Sequence, residues 1–138
     1  MPREKPPRAA RDATVARSLL VVAPGGTDRE ALFSELAARA GYLLRYAGSV
    51  GDASRALAGA PVALLIAAPE IPAAEVTQLL ASKDRLQPGV PVLVIRNRQA
   101  DEPDAWARGG VGVLRCPLLP EALSRSVDVV LGLAGRGN

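Results

Sequence analysis

Five short apolar segments, separated by segments of helical periodicity, constrain the fold of this chain more than any other feature. A continuously apolar run indicates a strand buried on both faces, and its regular alternation with helices is typical of a parallel α/β sheet. The predicted strands are 19–22, 42–47, 62–66, 92–95 and 111–114. Glycine and proline mark the breaks between elements, as at Pro24-Gly25-Gly26 and Pro88-Gly89.

The helices predicted after these strands complete five βα units. Thr27 and Glu30 form a capping box at the start of the first helix, and Gly41 ends it. Further helices are predicted over 52–57, after Pro72, over 105–108 and from Pro120. Because parallel crossovers are right-handed, five such units predict a doubly wound α/β sheet, for which we expect the flavodoxin-like strand order 2-1-3-4-5. Ligands of such sheets bind beyond the carboxyl ends of the strands, which directs attention to 23–28, 67–72, 96–98 and 115–117.

Composition excludes several kinds of chemistry. The chain has no histidine and a single cysteine, Cys116, so histidine triads, histidine zinc sites and an internal disulfide are excluded. Cys116 is predicted to be a small buried residue and not a redox thiol. The longest nearly uncharged stretch, 59–69, is too short to span a bilayer, and we expect a cytoplasmic protein.

The net charge of the chain is concentrated in its first 17 residues. This segment holds five basic and two acidic residues, which accounts for the whole formal net charge of +3. With Pro2, Pro6 and Pro7 and no periodic apolar residue before Val15, segment 1–17 is predicted to be a disordered basic tail. One domain over 18–134 and a short tail over 135–138 complete the chain. Nucleic-acid binding is disfavoured for a neutral domain, although a DNA-associated regulator using the basic tail stays an alternative.

Three regions of the chain follow one another in a definite order over about residues 18–134. In the first, strand one leads into Asp28-Arg29-Glu30-Ala31-Leu32 and then Gly41-Tyr42. In the second, Pro72 stands four residues beyond Ala68, and in the third, segments 105–110, 113–117 and 119–123 give a short helix, a strand with a proline and the start of the last helix. Together these regions resemble the receiver domain of bacterial response regulators, which has the same spacing between the phospho-acceptor and the next proline and the same order of fourth helix, fifth strand, proline and last helix. The resemblance implies the receiver fold and a role in two-component signal transduction.

The resemblance also locates the residues of phosphoryl transfer, which this chain lacks. Receivers need an acidic pair for Mg²⁺, a carboxylate acceptor, a hydroxyl and a lysine. In that order, the matching positions are Ala23 and Pro24, Ala68, Arg96 and Cys116. The aromatic residue that reports phosphorylation in many receivers would fall on Val113. We therefore expect a degenerate pseudo-receiver that is not an enzyme, needs no metal or cofactor and acts as a phosphorylation-independent protein-binding adaptor.

A partner surface is predicted on the face formed by helix four (105–108), strand five and helix five, through which receivers commonly pair. Tryptophan and arginine are enriched in interface anchors, and extra apolar surface on the last helix suggests a partner. The predicted partner-binding residues are Arg98, Trp106, Arg108, Arg115, Val129 and Leu133. A homodimer through this face and a different protein partner both stay open, and core packing is an equally good interpretation of Trp106.

A small-anion or nucleotide site is the alternative class of function. Gly25 and Gly26, between a strand and a helix, could present backbone N–H groups to a phosphate, with charge added by Arg96. The segment has neither the Gly-Lys-Ser/Thr ending of a P-loop nor the three-glycine dinucleotide motif. A tight turn is therefore favoured.

Overall fold

A computed structural model shows four helices and five strands in the part of the chain that it describes, residues 18–24, 30–99, 103, 106, 111–116 and 119–136. The strands are β1 (Ser18–Val22), β2 (Leu43–Ala47), β3 (Val62–Ala67), β4 (Val92–Arg96) and β5 (Gly112–Arg115). The helices are α1 (Glu30–Ala40), α2 (Val50–Gly59), α3 (Ala73–Leu86) and α4 (Pro120–Arg136). The predicted basic tail and most of the predicted helix at 105–108 lie outside the described residues, although Trp106 itself is helical.

The five strands form one parallel sheet in the order β2-β1-β3-β4-β5, which confirms the predicted fold class and strand order. At the carboxyl end of β1, Val22 is paired with Ala47 of β2 and Ala67 of β3. At the other side of the sheet, Arg96 of β4 is paired with Arg115 of β5. The segments that the sequence selected as ligand-binding therefore leave the sheet along a single edge.

Two apolar clusters cover the two faces of the sheet. Leu20, Val22 and neighbouring side chains pack with α2, α3 and Trp106, while Leu19, Val21 and neighbouring side chains pack with α1 and α4. Successive strand residues point to opposite faces, so a strand covered on both sides must be apolar at every position. This requirement explains the uninterrupted apolar runs of β1 and β3, which are buried at every residue.

Local signals set the bounds of two helices. Gly41 ends α1 in a left-handed conformation, with φ of 77°, as predicted. Helix α2 starts two residues before the predicted position, because the Ser49 side chain caps it by accepting a hydrogen bond from the Asp52 N–H at 3.1 Å. Within the described ranges, no helix has the length and apolar character needed to cross a membrane.

Candidate functional site

The corner that follows β1 and β3 is built by main-chain hydrogen bonds. The Ala23 N–H donates to the Ala47 carbonyl at 2.9 Å, and the Ala68 N–H donates to the Val22 carbonyl at 3.0 Å. Both alanines are buried, with 3% and 0% exposure, in the cluster between the sheet, α1 and α4. The positions matched to a receiver's first acid and its phospho-acceptor are thus neighbours in space, and each presents a methyl group to the core.

This corner does not fit the Mg²⁺ ion that receiver chemistry uses. Magnesium requires oxygen ligands in near-octahedral geometry. The side chains of Ala23, Pro24 and Ala68 contain no oxygen, and in the described part of the chain no three His, Cys, Asp or Glu residues gather into a group that could hold a metal. Alanine also supplies no nucleophile for phosphoryl transfer.

Arg96, at the hydroxyl position, lies at the carboxyl end of β4 and is 8% exposed. Its Nη1 donates to the Ile71 carbonyl at 3.2 Å, and its guanidinium carbon lies 5.5 Å from the centroid of the Trp106 ring. Ile71 and Trp106 belong to the α2 and α3 side of the sheet, opposite the side where Ala23 and Ala68 pack. These contacts direct the guanidinium toward the α3 side of the sheet, and Gly25 and Gly26 of the predicted anion site lie outside the described residues.

Trp106 is a packing residue, so of the two interpretations from sequence core packing fits, and the prediction of Trp106 as a partner contact is corrected. Its side chain is 1% exposed within the cluster under α3, and its Nε1 donates to Thr77 Oγ1 of α3 at 3.3 Å. The sequence could not choose between the two interpretations, because the contacts that bury Trp106 come from residues distant in sequence, such as Thr77 and Arg96.

Other predicted partner residues keep their surface position. Arg98 is exposed, and Val129 of α4 is 56% exposed. Arg115 is half-buried, and its Nη1 donates to the Asn97 carbonyl at 3.0 Å. Arg108 and the Leu133 side chain belong to the part of the chain that is not described.

Cys116, at the position matched to the lysine, is half-buried, whereas the sequence predicted a small buried residue. Its N–H donates to the Arg96 carbonyl at 2.9 Å, so the β4 and β5 ladder continues to this residue. The side chain packs against the α1 and α4 cluster. Its position at the end of the edge strand leaves one side uncovered.

A groove between β5 and α4 was not predicted. It has a volume of about 330 Å³, and its lining includes Val113, Arg125, Ser126 and Val129. The exposed valine that the sequence singled out therefore lies at a concave and largely apolar part of the surface. The apolar Val129 on the outer face of the last helix was the sequence feature that pointed to this surface. The shape of the groove could not be predicted, because it depends on how closely α4 approaches β5.

Comparison with solved structures identifies the fold. The chain superposes on a CheY-like receiver domain protein from Methanospirillum hungatei with a TM-score of 0.71 at 16% identity, covering 89% of this chain and 100% of that one. It superposes on the signal receiver domain of an HD domain-containing protein from Pseudomonas fluorescens with a TM-score of 0.69 at 18% identity, covering 88% and 99%. An uncharacterized protein from Neptuniibacter caesariensis gives a TM-score of 0.70 at 26% identity, covering 86% and 89%.

Sequence comparison adds no closer assignment. No protein-family model and no curated protein matches the chain. The likeness therefore comes from the path of the backbone, over nearly the whole length of the solved domains. The chain has the five-stranded, flavodoxin-like fold of response-regulator receiver domains.

Proposed function

We propose that this chain is a pseudo-receiver that binds protein partners in cytoplasmic bacterial signalling without phosphorylation and without enzymatic activity. The fold supports a signalling role, since solved structures of similar shape include receiver domains. Receivers ordinarily work by contacting other proteins. The proposal keeps that role and removes its control by phosphate.

The observation that carries the proposal is the chemistry of the corner after β1 and β3. A phosphorylatable receiver needs an attacking carboxylate oxygen and acids that hold Mg²⁺ beside it. Here the acceptor position is Ala68, with 0% exposure, and the neighbouring position is Ala23, with 3% exposure. The positions of the nucleophile and of one metal ligand therefore carry buried methyl groups, and the other metal-ligand position carries the exposed Pro24.

A phosphodonor assay tests the proposal directly. The purified chain is incubated with Mg²⁺ and a radiolabelled small phosphodonor, beside an active receiver as the positive control. We expect labelling of the active receiver and none of this chain. Stoichiometric labelling of this chain would overturn the proposal.

Thermal shift with Mg²⁺, beryllofluoride and nucleotides separates the two classes of function. A ligand that binds only the folded state raises Tm, by an amount that grows with the logarithm of its concentration above Kd. We expect no shift with any of them. A rise with Mg²⁺ and beryllofluoride would restore receiver chemistry, and a rise with nucleotides alone would favour the small-anion alternative.

The groove between β5 and α4 is the proposed partner surface, with a second copy of the chain as its occupant. In a two-fold dimer each surface faces its own copy, so charges of both signs on one surface can pair across the two-fold axis. Arg125 and Asp128 supply both signs on exposed positions of α4, beside the exposed Val129. This arrangement suits an antiparallel pair of α4 helices.

Sedimentation tests the dimer with a matched pair of variants. Val129→Arg introduces a charge into the groove, whereas Ser34→Arg introduces the same charge on the exposed face of α1. We expect the first to weaken self-association by at least about tenfold, or ~1.4 kcal/mol, and the second to leave it unchanged. A wild-type chain that stays monomeric at high concentration would exclude the homodimer.

A further inference from the structure

Arg96 joins β4 to the loop that precedes α3. The side chain leaves the last residue of β4, is 8% exposed, and donates from Nη1 to the carbonyl of Ile71 at 3.2 Å. Ile71 is itself 2% exposed, between β3 and α3, and its N–H donates to the Ala68 carbonyl at 3.1 Å. The hydrogen bond therefore ties the loop after the acceptor position to the neighbouring strand.

Trp106 extends this connection to α3. The Arg96 guanidinium carbon lies 5.5 Å from the centroid of its ring, within the range of cation–π attraction. At the other end of the side chain, Nε1 donates to Thr77 Oγ1 at 3.3 Å. The backbone of Trp106 is held as well, because its carbonyl accepts from the Val111 N–H at 3.0 Å just before β5.

We infer that Arg96, Trp106 and Thr77 form a latch that holds the β3–α3 loop, α3 and the segment before β5 in one arrangement. A buried cation is costly unless hydrogen bonds and π faces replace its water. Ile71 and Trp106 supply such contacts only in the observed arrangement, so movement of the loop or of Trp106 would lose them. A short hydroxyl side chain at position 96 could not span this distance.

The latch adds a source of conformational control to the proposed function, and the biological meaning of the latch rests on that function. In a receiver whose corner accepts no phosphate, the conformation of the partner surface must be set by other contacts. The latch sets it permanently, because it reaches the segment that leads directly into β5. Partner binding is therefore constitutive in this chain.

The first test replaces Arg96 and uses Trp106 as the probe. Trp106 is the sole tryptophan, so its fluorescence reports this site alone. Arg96→Met keeps an unbranched apolar stem and loses the guanidinium with its charge and donors, and Arg98→Met makes the same change at an exposed position two residues away. We expect Arg96→Met to shift Trp106 emission to longer wavelength and to raise its quenching by acrylamide at least about twofold. We also expect main-chain hydrogen exchange over 68–77 to become about tenfold faster, because the local stability of this segment falls. The latch is refuted if Arg96→Met matches Arg98→Met in all three measurements.

A second pair of variants keeps the test decisive should Arg96→Met fail to fold. Thr77→Val removes the acceptor of Trp106 Nε1 at an exposed helix position while keeping the shape of the side chain, and Gln78→Val is its control on the same helix. We expect altered Trp106 emission and faster exchange over 68–77 for Thr77→Val alone; identical behaviour of the pair would also reject the latch. None of these readouts uses a partner or a phosphodonor. If the fluorescence and exchange results refute the latch, the proposed function still stands. Phosphorylation of the chain would overturn the proposed function and would leave those fluorescence and exchange results unchanged.

Discussion

The side chain of Gln87 connects three elements at the amino-terminal edge of the sheet. Its Oε1 accepts from the Val62 N–H at 3.0 Å, and its Nε2 donates to the carbonyls of Leu57 and Ala60, both at 2.6 Å. These main-chain groups belong to the start of β3 and the end of α2. Gln87 therefore joins the end of α3 to the preceding α2–β3 connection.

Gln87→Leu should destabilise the fold by roughly 2 kcal/mol or more, because partly buried main-chain groups lose their partner. The matched control, Gln78→Leu, lies at an exposed position of α3 and should stay within about 0.5 kcal/mol of wild type. Urea unfolding of both variants measures the difference. Equal stability would show that water replaces the Gln87 contacts without loss.

Burial raises the pKa of Tyr46 above its ordinary value of 10, and the nearby carboxylate of Glu30 raises it further. The unfolded chain then loses this proton at lower pH than the folded chain, so the contribution of Tyr46 to stability decreases as pH rises above 10. Since the chain has two tyrosines, Tyr42→Phe leaves Tyr46 as the sole source of tyrosinate absorbance. Its titration midpoint should exceed 10 and fall when Glu30→Gln is added. A midpoint at or below 10 would contradict the prediction.

At the scale of elements, β5 and α4 pack in close contact at Gly112. A Cβ at this position would lie 2.6 Å from Val130 Cγ2 and 3.3 Å from Leu93 Cδ1. Gly112→Ala should therefore cost about 1–3 kcal/mol by overpacking, and Val130→Ala should relieve part of that cost in the double variant. Gly59→Ala is the control, since nothing lies within 4 Å of its added Cβ, and it should be neutral or stabilising by up to about 1 kcal/mol. Thermal unfolding of the four variants measures these changes. If the destabilisation of the double variant equals the sum of the two single destabilisations, the contact between positions 112 and 130 is not supported.

The elements that sequence predicted best are those with one strong physical requirement. Strand β3 is apolar throughout, β1 is apolar after Ser18 and β4 is apolar before Arg96, because helices cover both faces. Strand β2 gave a weaker signal because it lies at the edge of the sheet, where Leu43 is 59% exposed and Arg45 is tolerated. The start of α2 was missed because Ser49 acts as its cap, and serine at that position equally suits a turn.

The candidate site was only partly predictable for a different reason. Sequence spacing located Ala23, Ala68 and Arg96 at strand ends, and the sheet brings these ends to one edge. The direction of the Arg96 side chain and the burial of Trp106 depend on how the segment before β5 packs on α3. That packing joins residues far apart in sequence, and no local pattern specifies it.

At the scale of the whole molecule, the sheet places the five positions matched to receiver sites at the carboxyl ends of its strands. The Ala68 N–H bonds to the Val22 carbonyl at 3.0 Å, and the Cys116 N–H bonds to the Arg96 carbonyl at 2.9 Å. These bonds continue the parallel ladders just past the carboxyl ends of β3 and β5. The main-chain pairing of the receiver fold is therefore retained at these positions.

This retention predicts that receiver chemistry can be restored by side chains alone. The test is a five-residue variant that combines Ala23→Asp, Pro24→Asp, Ala68→Asp, Arg96→Thr and Cys116→Lys. Without metal it should be less stable than wild type, because three carboxylates are crowded together and the contact of the Arg96 guanidinium with Trp106 is lost. Mg²⁺ should then raise its Tm, with about 2.7 kcal/mol of stabilisation at a hundredfold excess over Kd. Beryllofluoride should add a further shift only when position 68 is aspartate, so the four-residue variant that keeps Ala68 is the control. If the five-residue variant folds yet responds to neither ligand, the ends of the four strands β1, β3, β4 and β5 do not converge as the sheet register requires, and the assignment of Ala68 to the acceptor position is wrong.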